Sequence, residues 1–332
     1  MKIGIGFIFV VSFLFLGSAF AADPGQPSEP TSCMPKFTFD TGPIIMTRHQ
    51  DNKAIFSSEG HAGSGDILKS SNVDDEWRMG GQARAAVTFP CFYLDFGGFW
   101  IPSDSDTAHN LEPEGLNIIE TRPRTSFNND TSIVGTFKYS SSIYNLDGNI
   151  GHSFAPWFSV YAGVRYMSLK EKLNLFSPFF VGLSESDNWK TKNSLVGPQI
   201  GARANILKLI GVCESSPWSL DTNVAFALLH NQAKSHYKSF YIPASGWSAF
   251  GSESSNFWTP GVAAEADLGY RFTRNLKLAV GYQMLYLDRV ALATDAVAGT
   301  ARSNPGGRIN MSVEKDSVLY HGGIVRLVVE LP

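Results

Sequence analysis

From Lys36 onward, apolar residues recur at every second position, and no stretch sustains the 3.6-residue period of an amphipathic helix. In Val262–Phe272, the residues Val262, Ala264, Ala266, Leu268, Tyr270 and Phe272 share one face, and Ala263, Glu265, Asp267, Gly269 and Arg271 share the other. Leu276–Tyr286 repeats this, as do Trp77–Val87, Phe92–Trp100, Tyr144–Ile150, Phe158–Tyr166, Val196–Ile206, Leu220–Leu228 and Val325–Leu331. In none of these segments does the apolar face carry Asp, Glu, Lys or Arg. The chain reads as all-β.

The second face decides between two all-β architectures. A soluble sandwich turns its apolar face to a core and its Lys, Glu and Thr to water. Here the polar face holds Gly, Ala, Asn, Gln and charges of both signs, as in a crowded interior, so the apolar face points outward. The pattern predicts an antiparallel up-and-down transmembrane β-barrel, closed so that no strand edge meets hydrocarbon. Short connections at Phe89-Pro90, Gly151–Pro156, Lys208–Pro217 and Thr273–Asn275 alternate with long ones at Thr47–Asp75, Pro102–Asp130, Lys170–Lys190, His230–Asn256 and Arg289–Ser317. That alternation counts ten strands, from Phe37–Met46 to Leu319–Leu331, with both termini on the short-turn, periplasmic side. Twelve strands result if Leu116–Glu120 or part of the last loop pairs as a hairpin. On this reading an arginine at outward Ala266 costs about 2–4 kcal/mol, and one at inward Ala263 less.

Composition agrees. Only 17% of residues are charged, against roughly 25% in soluble proteins, and 13% are aromatic. Rings gather near strand ends: Phe89, Phe92, Phe154, Trp157, Trp218 and Phe272 by the turns, and Trp77, Trp100, Phe257, Trp258 and Tyr286 toward the loops. Such girdles suit the two membrane interfaces. Residues 1–21, with Lys2, an apolar run and Ala19-Phe20-Ala21, read as a cleaved export signal, residues 22–36 as a Pro-rich periplasmic linker, and residues 37–332 as the barrel. The net charge of −3 excludes nucleic acid as a partner. Cys33, Cys91 and Cys213 map to the turn side and allow one disulfide at most, without fixing the pair.

Inward charges balance: Arg78, Arg84, Arg165, Arg203, Arg271, Lys277 and Arg326 face Glu76, Asp95, Asp147, Asp221, Glu265, Asp267 and Glu330. Equal numbers favour a mutually neutralising lumen network over an ion-selective path, and ten strands leave room for a narrow pore at best. The fourth long loop holds Tyr237, Phe240, Tyr241, Trp247 and Phe250, rings that could stack on a sugar or protein partner, extend the strands, or fold in as a lid. Catalytic and nucleotide motifs are missing, no metal site or cofactor is predicted, and Ser235-His236-Tyr237-Lys238 lacks the companions of a serine–lysine site. His230, His236, His321 and Asp288 lie toward the loop-side rim, where a hydrolase would place acid and histidine groups.

Tyr144-Asn145-Leu146-Asp147-Gly148-Asn149, together with Tyr161 through Leu173 (Gly163-Val164-Arg165-Tyr166 then Leu169 and Glu171), resembles the core of an outer-membrane β-barrel family abundant in planctomycetes and related to Legionella-type pore-forming outer-membrane proteins. Gly197-Pro198-Gln199-Ile200-Gly201 and Val280–Leu287 resemble its later blocks, so the likeness runs from about Ser132 to Val290. A departure is the ending Val328-Val329-Glu330-Leu331-Pro332, where such barrels commonly finish in an aromatic residue. The resemblance implies a barrel in the outer membrane, with membrane lipid and the barrel-assembly machinery as partners. The function expected is a porin-like narrow channel for small solutes. The alternative is a non-conducting barrel displaying its loops for partner binding or envelope structure, with a rim hydrolase as a remote third.

Overall fold

A computed structural model describes residues 35–50, 54–60, 63–69, 77–90, 92–111, 117–120, 134–178, 184–212, 216–242, 248–298, 300–301 and 309–331. The export signal, most of the linker, Glu76, Trp247 and all three cysteines lie outside these residues.

Ten strands close into one barrel: β1 (Lys36–Gln50), β2 (Arg78–Thr88), β3 (Tyr93–Leu111), β4 (Val134–Ala155), β5 (Phe158–Pro178), β6 (Ser184–Asn205), β7 (Trp218–Ile242), β8 (Ser248–Arg271), β9 (Leu276–Val290) and β10 (Asp316–Leu331). Each pairs antiparallel with its sequence neighbours, and β1 seals the barrel against β10, from Phe37 opposite Leu331 to Gln50 opposite Val318. The ten-strand expectation therefore holds. Asn117–Glu120 does pair, but with Ala54–Gly60, which also pairs with Gly63–Lys69, in a separate three-stranded sheet that adds nothing to the barrel. Four tight connections join the strands at one end, the third containing the single-turn helix α1 (Ile206–Leu209), capped by the Asn205 side chain.

The alternating residues face as their pattern requires. Ile200 is 62% exposed on the outer wall and Val280 55%, while Gln199 and Ala279 between their like are buried. Glycines on the inner face make room for inward rings. Tyr93 lies across Gly151, and Tyr161 across Gly201, each directly opposite its glycine in the neighbouring strand. A methyl group at either glycine would come within 2.1 Å or 2.3 Å of the ring, so small and large residues interlock across the wall.

Three of the long connections differ from expectation. Pro102–Asp130 begins as strand, β3 pairing with β4 as far as Leu111 opposite Val134. Lys170–Lys190 and His230–Asn256 are mostly strand: β5 continues to Pro178, β6 begins at Ser184, and β7 and β8 pair as far as Phe240 opposite Ser248. Sequence places the end of each strand where its outward face stops being apolar. A strand needs an apolar outer face only over the hydrocarbon, about 9–11 residues, whereas β7 has 25. Beyond that belt the ladder continues with the faces exchanged. On β5, Val164 and Tyr166 point out below, and above them Lys170 and Lys172 point out while Met167, Leu169, Leu173 and Leu175 point in. The same exchange occurs on β4, β6, β7 and β9, where Ile143, Leu195, Leu229 and Leu285 begin an apolar inner face. The turn half of the barrel is apolar outside and polar inside; the loop half is mostly polar outside and mixed inside, where Leu, Met and aromatic side chains alternate with buried Arg48, Glu171, Asn193 and Asn231.

Candidate functional site

Three layers fill the described lumen. Nearest the turns is an ionic layer. Arg84 reaches Asp95 at 2.5 Å and Asp147 at 3.2 Å, Arg203 donates to the other oxygen of Asp95 at 2.8 Å, and Asn149 bridges Asp95 and Asp147. Gln199 donates to Asn149 at 2.6 Å, and the Arg203 guanidinium lies over the rings of Tyr93 and Tyr161. On the opposite wall Arg326 bonds both Glu265 and Asp267, and Lys277 donates to Asp221 at 2.6 Å, which also accepts from Asn205 and Ser219. Apart from Ser219, each side chain is thus held by a partner on another strand, which fixes register as much as charge. Arg84, Arg203, Asp221, Glu265, Lys277 and Arg326 among them line a vestibule of about 330 Å³ bounded at the turn end by Ser153–Ser159.

The structure brings together most of the predicted lumen charges. Arg165 lies buried near Asp147, with its Nε unpaired among the described residues. Arg271 and Glu330 stand 3.4 Å apart at the turn rim, each about half exposed, outside the network proper. Arg78 is elsewhere, donating to the Ser141 carbonyl beside Tyr139 in the loop half. Sequence reasoning missed Asp40, which lines the vestibule from β1, and Glu171, assigned to a loop. The run Met167, Leu169, Glu171, Leu173, Leu175 carried the signal: one acid on an otherwise apolar inner face.

Above the ionic layer the inward residues are mostly apolar, with Gln82, Asn145 and Asn231 buried in the same row as Phe99, Met167 and Leu195. Ile44, Met167, Leu169, Leu195, Leu229, Leu285 and Leu287, each 0–1% exposed, join Phe99, Ile101, Ile143 and Tyr320 in one contiguous cluster across the barrel. Most of these side chains belong to the wall itself, and Val290 and Leu292 of the last connection join the same cluster. This corrects the expectation of a polar interior throughout; Ala263, expected to face the lumen with room for a larger side chain, is buried within this cluster.

The third layer is a cork from the last connection. The chain leaves β9 at Arg289, whose φ of 54° is left-handed, and turns inward through Val290–Leu292 into helix α2 (Ala293–Ala298). Residues 290–297 are buried. Polar groups of the wall grip this segment. Asn193 bonds both backbone groups of Ala291, Glu171 accepts from the Ala293 amide at 2.7 Å, Gln50 accepts from Thr294, and Thr259 donates to the Arg289 carbonyl. Arg48 stands 2.9 Å from Glu171 and donates to Gln50 and Tyr139, so the grip contains a fully buried ion pair. Ala293, Ala296 and Val297 pack on Phe137, Tyr139, Trp189 and Tyr237.

The loop aromatics do not form one surface. Tyr237 points into the barrel, donating to Asp187 at 2.6 Å, because the strand continues and gives it an inward position. Phe240 and Phe250 point out, 46% and 59% exposed, while the side chain of Tyr241 lies outside the described set, as does Trp247. The rim histidines also face the outer wall: His230 against Trp258, His321 against Trp77 and bonded to Tyr282, and His236 outward on β7. They converge on no common cleft with Asp288.

No protein-family model matches the chain, and no curated protein matches it. Among solved structures it is similar to the outer membrane protease OmpT from Escherichia coli, with a TM-score of 0.44 and 9% identity over 89% of this chain and 95% of that one. It is also similar to the Ralstonia pickettii toluene transporter TbuX (TM-score 0.21, 6% identity, 89% of this chain and 90% of that one). A third is the anion-selective porin from Comamonas acidovorans (TM-score 0.22, 9% identity, 90% and 99%). Likenesses this distant carry no function.

Proposed function

We propose that the protein is an outer-membrane β-barrel, exported by its N-terminal signal, whose lumen is closed and whose loop half stands above the membrane as a water-exposed tower for envelope structure or partner contact. The carrying observation is the mostly apolar layer across the lumen, from Ile44 through Leu195 to Leu285, sealed from above by the α2 cork. Water and ions do not cross a packed apolar section. The membrane assignment is supported by the outward Phe96, Ile150, Val164, Ile200, Val224, Leu268 and Val280, an apolar wall that water would not sustain.

Refolded protein inserted in a planar bilayer should be electrically silent while its barrel signature persists in circular dichroism. A steady conductance from folded protein overturns the closed reading and leaves the second one, a narrow small-solute channel. That second reading is favoured by the charged vestibule, a polar cavity at the turn end, but it requires both the cork and the wall's own apolar side chains to move.

A further inference from the structure

The outer wall of the tower carries its own charge pattern, and none of it serves the closed lumen. Lys170 on β5 lies directly opposite Lys192 on β6, which lies directly opposite Lys234 on β7; in the next row up, Lys172 faces Lys190, which faces His236. All six point outward, and Lys138 and Lys238 flank them on β4 and β7. The outward residues around them are Ser140, Ser142, Ser168, Asn174, Asn188 and Ser194, with no acid among them. None of these lysines has a carboxylate partner among the described residues. Directly opposed like charges destabilise a sheet, so two consecutive rows in a protein of net charge −3 require something outside the chain to offset them.

Their height names the occupant. The row Tyr166, Val196, His230, Trp258 marks the upper limit of the apolar outer wall on this side. Lys170 lies four residues above Tyr166, roughly 13 Å along a strand and about 10 Å in height once tilted, just beyond a headgroup layer about 5–8 Å deep and within reach of it for a flexible lysine side chain. Ammonium groups at that level meet lipid phosphates.

We infer that this lysine lattice on β5–β7 is a docking surface for the phosphorylated headgroups of anionic lipid in the leaflet on the loop side. The inference rests on the membrane reading above. The test uses the full barrel in phosphatidylcholine nanodiscs doped with bis-phosphorylated lipid A, or with the same lipid stripped of both phosphates. Retained lipid is counted by native mass spectrometry. The phosphorylated lipid should be retained selectively, and Lys170→Gln/Lys172→Gln/Lys190→Gln/Lys192→Gln/Lys234→Gln should weaken retention about tenfold or more. Lys36→Gln/Lys208→Gln, at the turn end, should leave it unchanged. A second readout has a sign a merely structural role cannot give: Lys192→Gln should raise the melting temperature in plain phosphatidylcholine, by relieving repulsion, and lower it with phosphorylated lipid A. Equal retention of the dephosphorylated lipid, indifference to the five substitutions, displacement by inorganic phosphate at matched concentration, or tighter capture of a lipid-free acidic polysaccharide would each overturn the inference. Failure to insert into any nanodisc would instead sink the membrane reading.

Discussion

Asn193 holds Ala291 by both of its backbone groups: Nδ2 donates to the carbonyl at 2.7 Å, and Oδ1 accepts from the amide at 2.9 Å. Oδ1 accepts as well from Asn231, which ties the grip to the next strand. One side chain thus substitutes for a strand partner at the point where the cork enters the lumen.

Asn193→Leu should free the cork without melting the barrel. It leaves the Ala291 amide and carbonyl unpaired in an apolar site, costing about 1–3 kcal/mol for each group that stays buried. A cysteine at Ala296 should then react with a water-soluble maleimide at least several-fold faster than in the parent. Unchanged labelling would show that Asn193 is not the clamp.

Removing one half of the buried ion pair should be expensive. Arg48→Met strands Glu171, whose side chain is 0% exposed, and should cost about 3–5 kcal/mol in urea unfolding from micelles. Arg48→Met/Glu171→Gln should recover much of this, since the neutral amide oxygen can still accept from Ala293.

If the lumen is closed as proposed, the wall should seal it even without the cork. Replacing residues 291–301 by a short Gly-Ser linker should leave the bilayer silent, because Met167, Leu195, Leu229 and Leu285 come from the wall and stay in place. Conductance should appear only when those wall residues are also cut back to serine or alanine. Current from the linker variant alone would assign the seal to the cork.

The exchange of faces sets the cost of surface charge by height. Ala266→Arg, outward in the apolar wall, should cost about 2–4 kcal/mol, and Ser252→Glu, outward in the tower opposite His236, within about 0.5 kcal/mol. Ala263→Arg, expected from sequence to be the cheaper arginine, should cost at least as much as Ala266→Arg because Ala263 is only 9% exposed among packed apolar side chains. Micelle unfolding titrations of the three variants check the order.

The strand count and the outward wall were legible because period-2 alternation spans the membrane half, and Thr273-Arg274-Asn275 and Phe89-Pro90 break it cleanly. The lumen pairs were legible as inward positions but not as pairs. Asp95 meets Arg203 across 108 positions of sequence, and only barrel closure decides that. The cork was not legible, since Ala291-Leu292-Ala293-Thr294 is too short for a helical period and its burial depends on Asn193 and Glu171. The loop half was misassigned for a simpler reason: alternation continues there with its phase exchanged, and a search for apolar outer faces stops where that phase changes.

On the proposed membrane reading, that exchange also gives the protein a draught line, like a hull loaded to one depth. Sinking by a few residues would drag the Lys170–Lys192–Lys234 row into hydrocarbon, and rising by as much would lift Tyr166 and Val196 into water. A bilayer much thicker than the apolar wall is therefore unfavourable at both rims at once, and the barrel carries in its side chains a measure of the membrane it suits.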